Sequence, residues 1–319
     1  MDAKVVSARP AGEPTPDTVR GIARYVAATR PAFLVASFLP VFIGLASASY
    51  LGTPIHPLTA LLTLIGALLA HAGVNVLNDY YDHLNGTDEA NTERLFPFTG
   101  GSRFIQNAVL TPEQTLRFGM GLFAVTVIIG VVLTVMSGPG LILIGLVGLI
   151  IGWAYSAPPL KLNSRGLGEI CVAMGFGILI PLGAAYVQRG VIDWLPFLAG
   201  LPYALLTTNL LYINQFPDLR ADAVSGKHHW VVRLGTERAR WVYLIIALLA
   251  YGLLTGFVLE SQLPATALLG LIPAPISLAA GMLLIWYAGQ PQKLRTPIKL
   301  TILALILEGL TLSAALFLA

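Results

Sequence analysis

Five of the chain's 16 acidic residues fall within fifteen positions, at the end of a long apolar run: Asp79, Asp82, Asp88, Glu89 and Glu93. Much later, 214-NQFPDLRAD-222 returns to the same pattern. Asn78-x3-Asp82, with Asp79 beside the Asn and Asp88 beyond, is matched by Asn214-x3-Asp218-x3-Asp222. Residues i and i+4 lie one turn apart on the same helix face. Asn78 and Asp82 therefore point together, as do Asp218 and Asp222 if the helix continues past Pro217. Carboxylates held this way repel one another, and a solvated surface has no reason to arrange them so. A hard divalent cation reverses the repulsion. Mg²⁺ takes oxygen ligands, keeps several waters, and is usually held by one or two carboxylates plus phosphate oxygens.

The same regions carry donors suited to phosphate. In 100-GGSR-103, glycines let backbone N–H groups approach an anion, and Ser102 and Arg103 add side-chain donors. The second region offers Arg220 and 226-GKHH-229, with Lys227 as a compact positive charge. A third stretch, 155-YSAPPLKLNSRGLGE-169, adds Tyr155, Lys161 and Arg165. Acids for a metal, bases for a diphosphate and apolar segments behind both would suit a ligand with a diphosphate head and a hydrocarbon tail.

The elements that must position these residues are apolar. Of 319 residues, 56% are hydrophobic and 11% charged, and the mean hydropathy is +0.76; soluble domains carry about 25% charged residues. The expected fold is all-α, a polytopic membrane bundle with nine transmembrane helices near 31–50, 57–81, 114–136, 139–155, 168–188, 193–217, 239–259, 264–288 and 298–318. The division between the third and fourth rests on 137-SGPG-140. Eighteen of the 19 Lys and Arg residues, all but Arg189, then fall on one side. The positive-inside rule puts that side, the N-terminus and both acidic clusters in the cytoplasm, and the C-terminus outside. Residues 1–24 are expected to be a cytoplasmic tail and 25–319 a single transmembrane domain. A short interfacial helix within 18–31 is an equal alternative to a plain tail there. No cleavable signal peptide is evident. The single Cys171 excludes an intramolecular disulfide, and no basic groove or module points to nucleic acid.

With NDYYDHLNGTD, GGSR, YSAPPLKL, DLRAD and GK…VRLG in this order, the chain resembles the UbiA-type intramembrane prenyltransferases over nearly everything after about residue 25. The family's first motif is often written N-x3-D-x3-D. Here its third position is Gly86 and the next carboxylate is Asp88, a spacing similar to the 1,4-dihydroxy-2-naphthoate (menaquinone-type) branch. The resemblance implies Mg²⁺ and an allylic polyprenyl diphosphate bound by Asp82, Asp88, Asp218 and Asp222, with Asn78, Asp79 and Asn214 in support. Tyr155 and Lys161 resemble a further catalytic pair. It also implies transfer of the prenyl group to an aromatic acceptor, and a bacterial inner membrane with the site facing the cytoplasm. Acceptors such as 4-hydroxybenzoate, homogentisate or a lipid or tetrapyrrole alcohol remain alternatives.

Other polar residues have plainer readings. His71, inside the second span, reads as a bonded core histidine; His228 and His229 could touch a diphosphate, although loop histidines usually just face solvent. Tyr80, Tyr81, Phe96 and Phe98 could flank an acceptor or belong to an interfacial belt. Glu308, midway along the last span, is either functional or a protonated structural group. A secondary transporter would also have many helices and a repeat, but its carboxylates belong near the bilayer midplane.

Overall fold

The computed structural model describes residues 11–319; Lys4 and Arg9 of the expected tail lie outside the described residues. Every expected apolar segment forms a helix: α1 (Pro31–Tyr50), α2 (Pro57–Leu84), α3 (Pro112–Ser137), α4 (Gly140–Ser156), α5 (Gly168–Arg189), α6 (Trp194–Val224), α7 (Thr236–Leu259), α8 (Ala265–Tyr287) and α9 (Arg295–Phe317). Eight are long and apolar enough to cross a membrane; α4, at 17 residues, is shorter. No strand occurs among the described residues.

Local chemistry sets the helix ends. Pro57 and Pro112 occupy first-turn positions, where a missing N–H costs nothing. Thr111 and Gln114 form a capping box at the start of α3. Gly138, at φ +110°, makes the break between α3 and α4, and the Gly140 N–H donates to Tyr186 Oη at 2.9 Å. The helix α6 runs through Pro217 to Val224, so Asp218 and Asp222 do share one helical face.

Small residues let the helices approach closely. A Cβ on Gly177 would lie 2.1 Å from Ala204 Cβ, and one on Gly200 would lie 1.9 Å from the Gly177 carbonyl oxygen. At this contact α5 winds as a π-helix over Ala173–Leu179, a form associated with functional sites. Buried tyrosines bond to neighbouring helices through their hydroxyls: Tyr203 to Ala36 O (3.1 Å), Tyr212 to Ala239 O (2.7 Å) and Tyr243 with Thr301 Oγ1 (2.8 Å). Such bonds replace the water that an apolar interior denies them. The outer faces of α3 and α4 stay apolar and exposed, as at Ile128, Val135 and Leu143, which suits contact with lipid.

Two segments close one end of the bundle: residues 85–111 between α2 and α3, and 225–235 between α6 and α7. Residues near the start brace the first of them. Glu13, buried, pairs with Arg94 Nε at 2.6 Å and accepts from Asn107 Nδ2 at 3.1 Å.

Candidate active site

A cavity of about 570 Å³ opens beneath these segments. Asn78, Asp82, Asp88, Tyr155, Asn214, Asp218, Asp222 and Lys227 line its polar end. Beyond them the wall is apolar, running between α2, α3, α4 and α5 past Phe123, Ile144 and Leu179 to Val187. The two motifs, more than 130 residues apart in sequence, thus face one space.

Lys227 joins them. Its Nζ lies 2.7 Å from Asp82 Oδ2 and 3.6 Å from Asp222 Oδ1. Burial works against its charge, but Asp82 and then Asp222 outweigh that cost and hold the ammonium well above the usual lysine range. His229 is buried and donates through Nε2 to Asp222 Oδ2 at 3.0 Å, while its Nδ1 accepts from the Val232 N–H. That second bond leaves Nε2 to carry the hydrogen shared with Asp222. The solvent-facing reading of His229 is therefore corrected; His228 is the exposed one.

The glycine-rich loop binds the protein's own acids. Gly100 and Gly101 take left-handed φ values of +79° and +72°, turning successive amides inward. The Gly100 N–H donates to Asp218 Oδ2 at 3.1 Å, and the Ser102 N–H to Asp79 Oδ1 at 3.2 Å. Asp218 Oδ1 also accepts from Asn91 Nδ2 at 2.6 Å. The loop between α2 and α3 thereby grips α6. Arg103, likewise left-handed at φ +66°, turns into this loop and donates to the Asp88 carbonyl. Ser102, Arg103 and Asp79 sit behind the cavity wall, where they hold the loop, instead of on its surface. Asn78 donates to Ser156 Oγ at 3.0 Å.

Two other expected residues are not brought to the cavity. Lys161 is exposed, and Arg220 pairs with Glu93 at the surface, 2.8 Å apart. Of the four flagged aromatics, Phe98 alone lines the cavity.

Mg²⁺ suits the remaining carboxylates. Asp88 Oδ2 is sealed from solvent and has no hydrogen-bond partner among the described residues, a costly arrangement for a carboxylate. The space beside it exists because residue 101 has no side chain: a Cβ there would lie 2.9 Å from both Asp88 oxygens. Burial, and after it the charges of Asp82 and Asp79, push the Asp88 carboxyl well above the usual carboxylate range. Among the described residues no three His, Cys, Asp or Glu side chains converge on one point.

Several residues here escaped the reading of the sequence. Arg30 lines the cavity near Asn75, its guanidinium 4.7 Å from the Phe33 ring centroid and its Nε without a partner among the described residues. Glu169, buried on α5, accepts from Gln215 Nε2 and from the Trp230 N–H, each at 3.0 Å, and so fixes the segment that carries Lys227 and His229. A carboxylate one residue into an apolar span was the available signal for Glu169.

The fold and the site together define an integral-membrane enzyme class in which paired acidic helix ends face the polar end of a cavity that continues as an apolar chamber. Residues 37–305 match the family model described as the UbiA prenyltransferase family. The chain belongs to that family, and it is a prenyltransferase. It is 32% identical over 258 residues to the 1,4-dihydroxy-2-naphthoate octaprenyltransferase of Mycobacterium tuberculosis, covering 81% of this chain and 85% of that one. The enzyme of the same name from Escherichia coli is 32% identical over 225 residues, covering 66% and 68%. Among solved structures, a UbiA homologue from Archaeoglobus fulgidus bound to DMAPP and Mg²⁺ shares the fold, with a TM-score of 0.63 at 17% identity, over 91% of this chain and 99% of that one.

Proposed function

We propose that this chain transfers a polyprenyl group from an allylic diphosphate to 1,4-dihydroxy-2-naphthoate, with Mg²⁺, at the cytoplasmic side of a nine-span membrane domain. The observation that carries the reading is the meeting of Asp82, Asp88, Asp218 and Asp222 in one cavity, bridged by Lys227 and continued by an apolar chamber. The names of the relatives from M. tuberculosis and E. coli favour the naphthoate, as does Asp88 standing two residues beyond the third motif position. Arg30, a cation on the cavity wall, favours an acceptor that carries a carboxylate. The concentration of acids at one end of the bundle disfavours a transporter.

Asp82, Asp88, Asp218 and Asp222 would hold the Mg²⁺, which supplies Lewis-acid stabilisation to a departing diphosphate. Lys227, already charged and buried, stands ready to take up part of the leaving group's negative charge. His229 keeps Asp222 aimed inward, and Gly100 does the same for Asp218. The apolar chamber seats the hydrocarbon chain and keeps water from the electron-poor allylic carbon while the acceptor ring attacks.

Purified protein, Mg²⁺ and farnesyl diphosphate, offered separate aromatic acceptors, would test the reading. Prenylated naphthoate in the presence of Mg²⁺ and none with EDTA is the expected result. Product with 4-hydroxybenzoate alone would replace the acceptor and leave the transferase in place.

A further inference from the structure

The cavity-facing edge of α2 does not turn apolar at once below the acidic motif. Asn75 and His71 continue it inward at helical spacing, and both line the cavity. Asn75 is occupied, donating from Nδ2 to the Thr29 carbonyl at 3.0 Å. His71 is only half satisfied. Its Nδ1 lies 2.8 Å from Ser37 Oγ on α1, and its ring stands edge-on to Phe176 on the π-helical part of α5, with centroids 4.7 Å apart. Two helices thus lock the ring, and Ser37 itself is fully buried. Nε2 has no hydrogen-bond partner among the described residues, nor is it among the sealed atoms. His71 is half-buried and lines the cavity, so the free nitrogen is within reach of a molecule held there. A purely structural histidine at such depth would have both nitrogens bonded.

We propose that His71 is the subsite for the acceptor's ring hydroxyl. Resting on the transferase reading above, it specifies which group of the acceptor the protein holds. Eleven residues of helix separate His71 from Asp82, a rise of about 16 Å. That is room for a diphosphate, the allylic carbon and the ring carbon beside the hydroxyl that His71 would hold.

The chemistry balances without a further reactant. The bond between the allylic carbon and diphosphate oxygen breaks, and its electron pair leaves with the diphosphate. The ring carbon bearing the carboxylate forms the new carbon–carbon bond, and the neighbouring hydroxyl gives its proton to His71 Nε2 and becomes a ketone. Loss of CO₂ returns its electron pair to the ring. The oxygen then takes the proton back, and His71 is neutral again.

Full-length protein in nanodiscs, with Mg²⁺, farnesyl diphosphate and 1,4-dihydroxy-2-naphthoate, separates the possibilities. His71→Leu is expected to lower kcat/KM for the naphthoate about a hundredfold. Its Mg²⁺-dependent binding of farnesyl diphosphate should stay within about twofold of the parent, because the donor's diphosphate is held eleven residues away and leucine leaves the wall apolar for its chain. His71→Gln, able to hydrogen-bond but not to accept a proton, is expected to recover KM and leave kcat low. A His71→Leu protein that binds donor and prenylates the naphthoate within threefold of the parent overturns the proposal alone. Equal loss of donor binding and turnover would overturn it in favour of a packing role. An unmutated protein that binds donor yet prenylates no arene would sink the transferase reading and this subsite together.

Discussion

At the scale of single residues, the site is a set of anions held in place by neutral donors and one ammonium. Asp222 shows how tightly such a group can be aimed: the backbone amide of Val232 fixes the tautomer of His229, and His229 then orients the carboxylate. Residues that orient metal ligands commonly matter by 10- to 100-fold in metal affinity. We expect His229→Phe to raise the Mg²⁺ concentration for half-maximal turnover by about 10-fold or more, measured by Mg²⁺ titration at saturating donor; an unchanged requirement would remove His229 from the site. Asp88 gives the pH dependence. Its carboxyl holds a proton above the usual range, and a metal must displace that proton. Mg²⁺ affinity should therefore rise as pH climbs from the ordinary carboxylate range, about 4, towards neutrality, and weaken as pH falls back through the raised value. Metal titrations at several pH values would show this as a steadily falling Mg²⁺ requirement.

At the scale of elements, hydropathy and breaking residues marked the helices well, because lipid-facing and core-facing residues are both apolar and a span has few ways to end. Even the 137-SGPG-140 break is real, and the paired Asn-x3-Asp signatures named the helix ends that meet. Loop residues were harder to read, for a physical reason. Arg103 and Ser102 look like phosphate donors in a linear sequence, but left-handed turns at Gly100, Gly101 and Arg103 rotate them onto Asp88 and Asp79. Lys161 and Arg220 have the right charge and the wrong direction, which no spacing rule records. Close packing was legible in the small residues of 173–185, although the run does not say that Gly177 is the one pressed against Ala204. Gly177→Val should destabilise the bundle by about 2 kcal/mol or more, since the new atoms would collide with α6. Gly252→Ala, with nothing within 4 Å of the added Cβ, should stay within about 1 kcal/mol of the parent. Thermal unfolding in detergent would compare the two, and equal stability would contradict the backbone contact described for α5 and α6.

At the scale of the whole molecule, the bundle brings two distant helix ends over one chamber and ties them together from above. The Glu13–Arg94 pair braces the first loop, that loop grips Asp218 through Gly100, and Glu169 anchors the second segment through Trp230. Lys227 then closes the circuit between Asp82 and Asp222. The central claim is that these are halves of one metal–diphosphate site. A double-mutant cycle with Asp82→Asn, Asp222→Asn and the combined variant, read as Mg²⁺-dependent prenyl transfer, tests it most directly. One shared site predicts a large loss in each single variant and little further loss in the pair, because removing either half already disables the unit. Losses that simply multiply would contradict a shared site, and a single variant with near-parental turnover would remove its helix end from the chemistry.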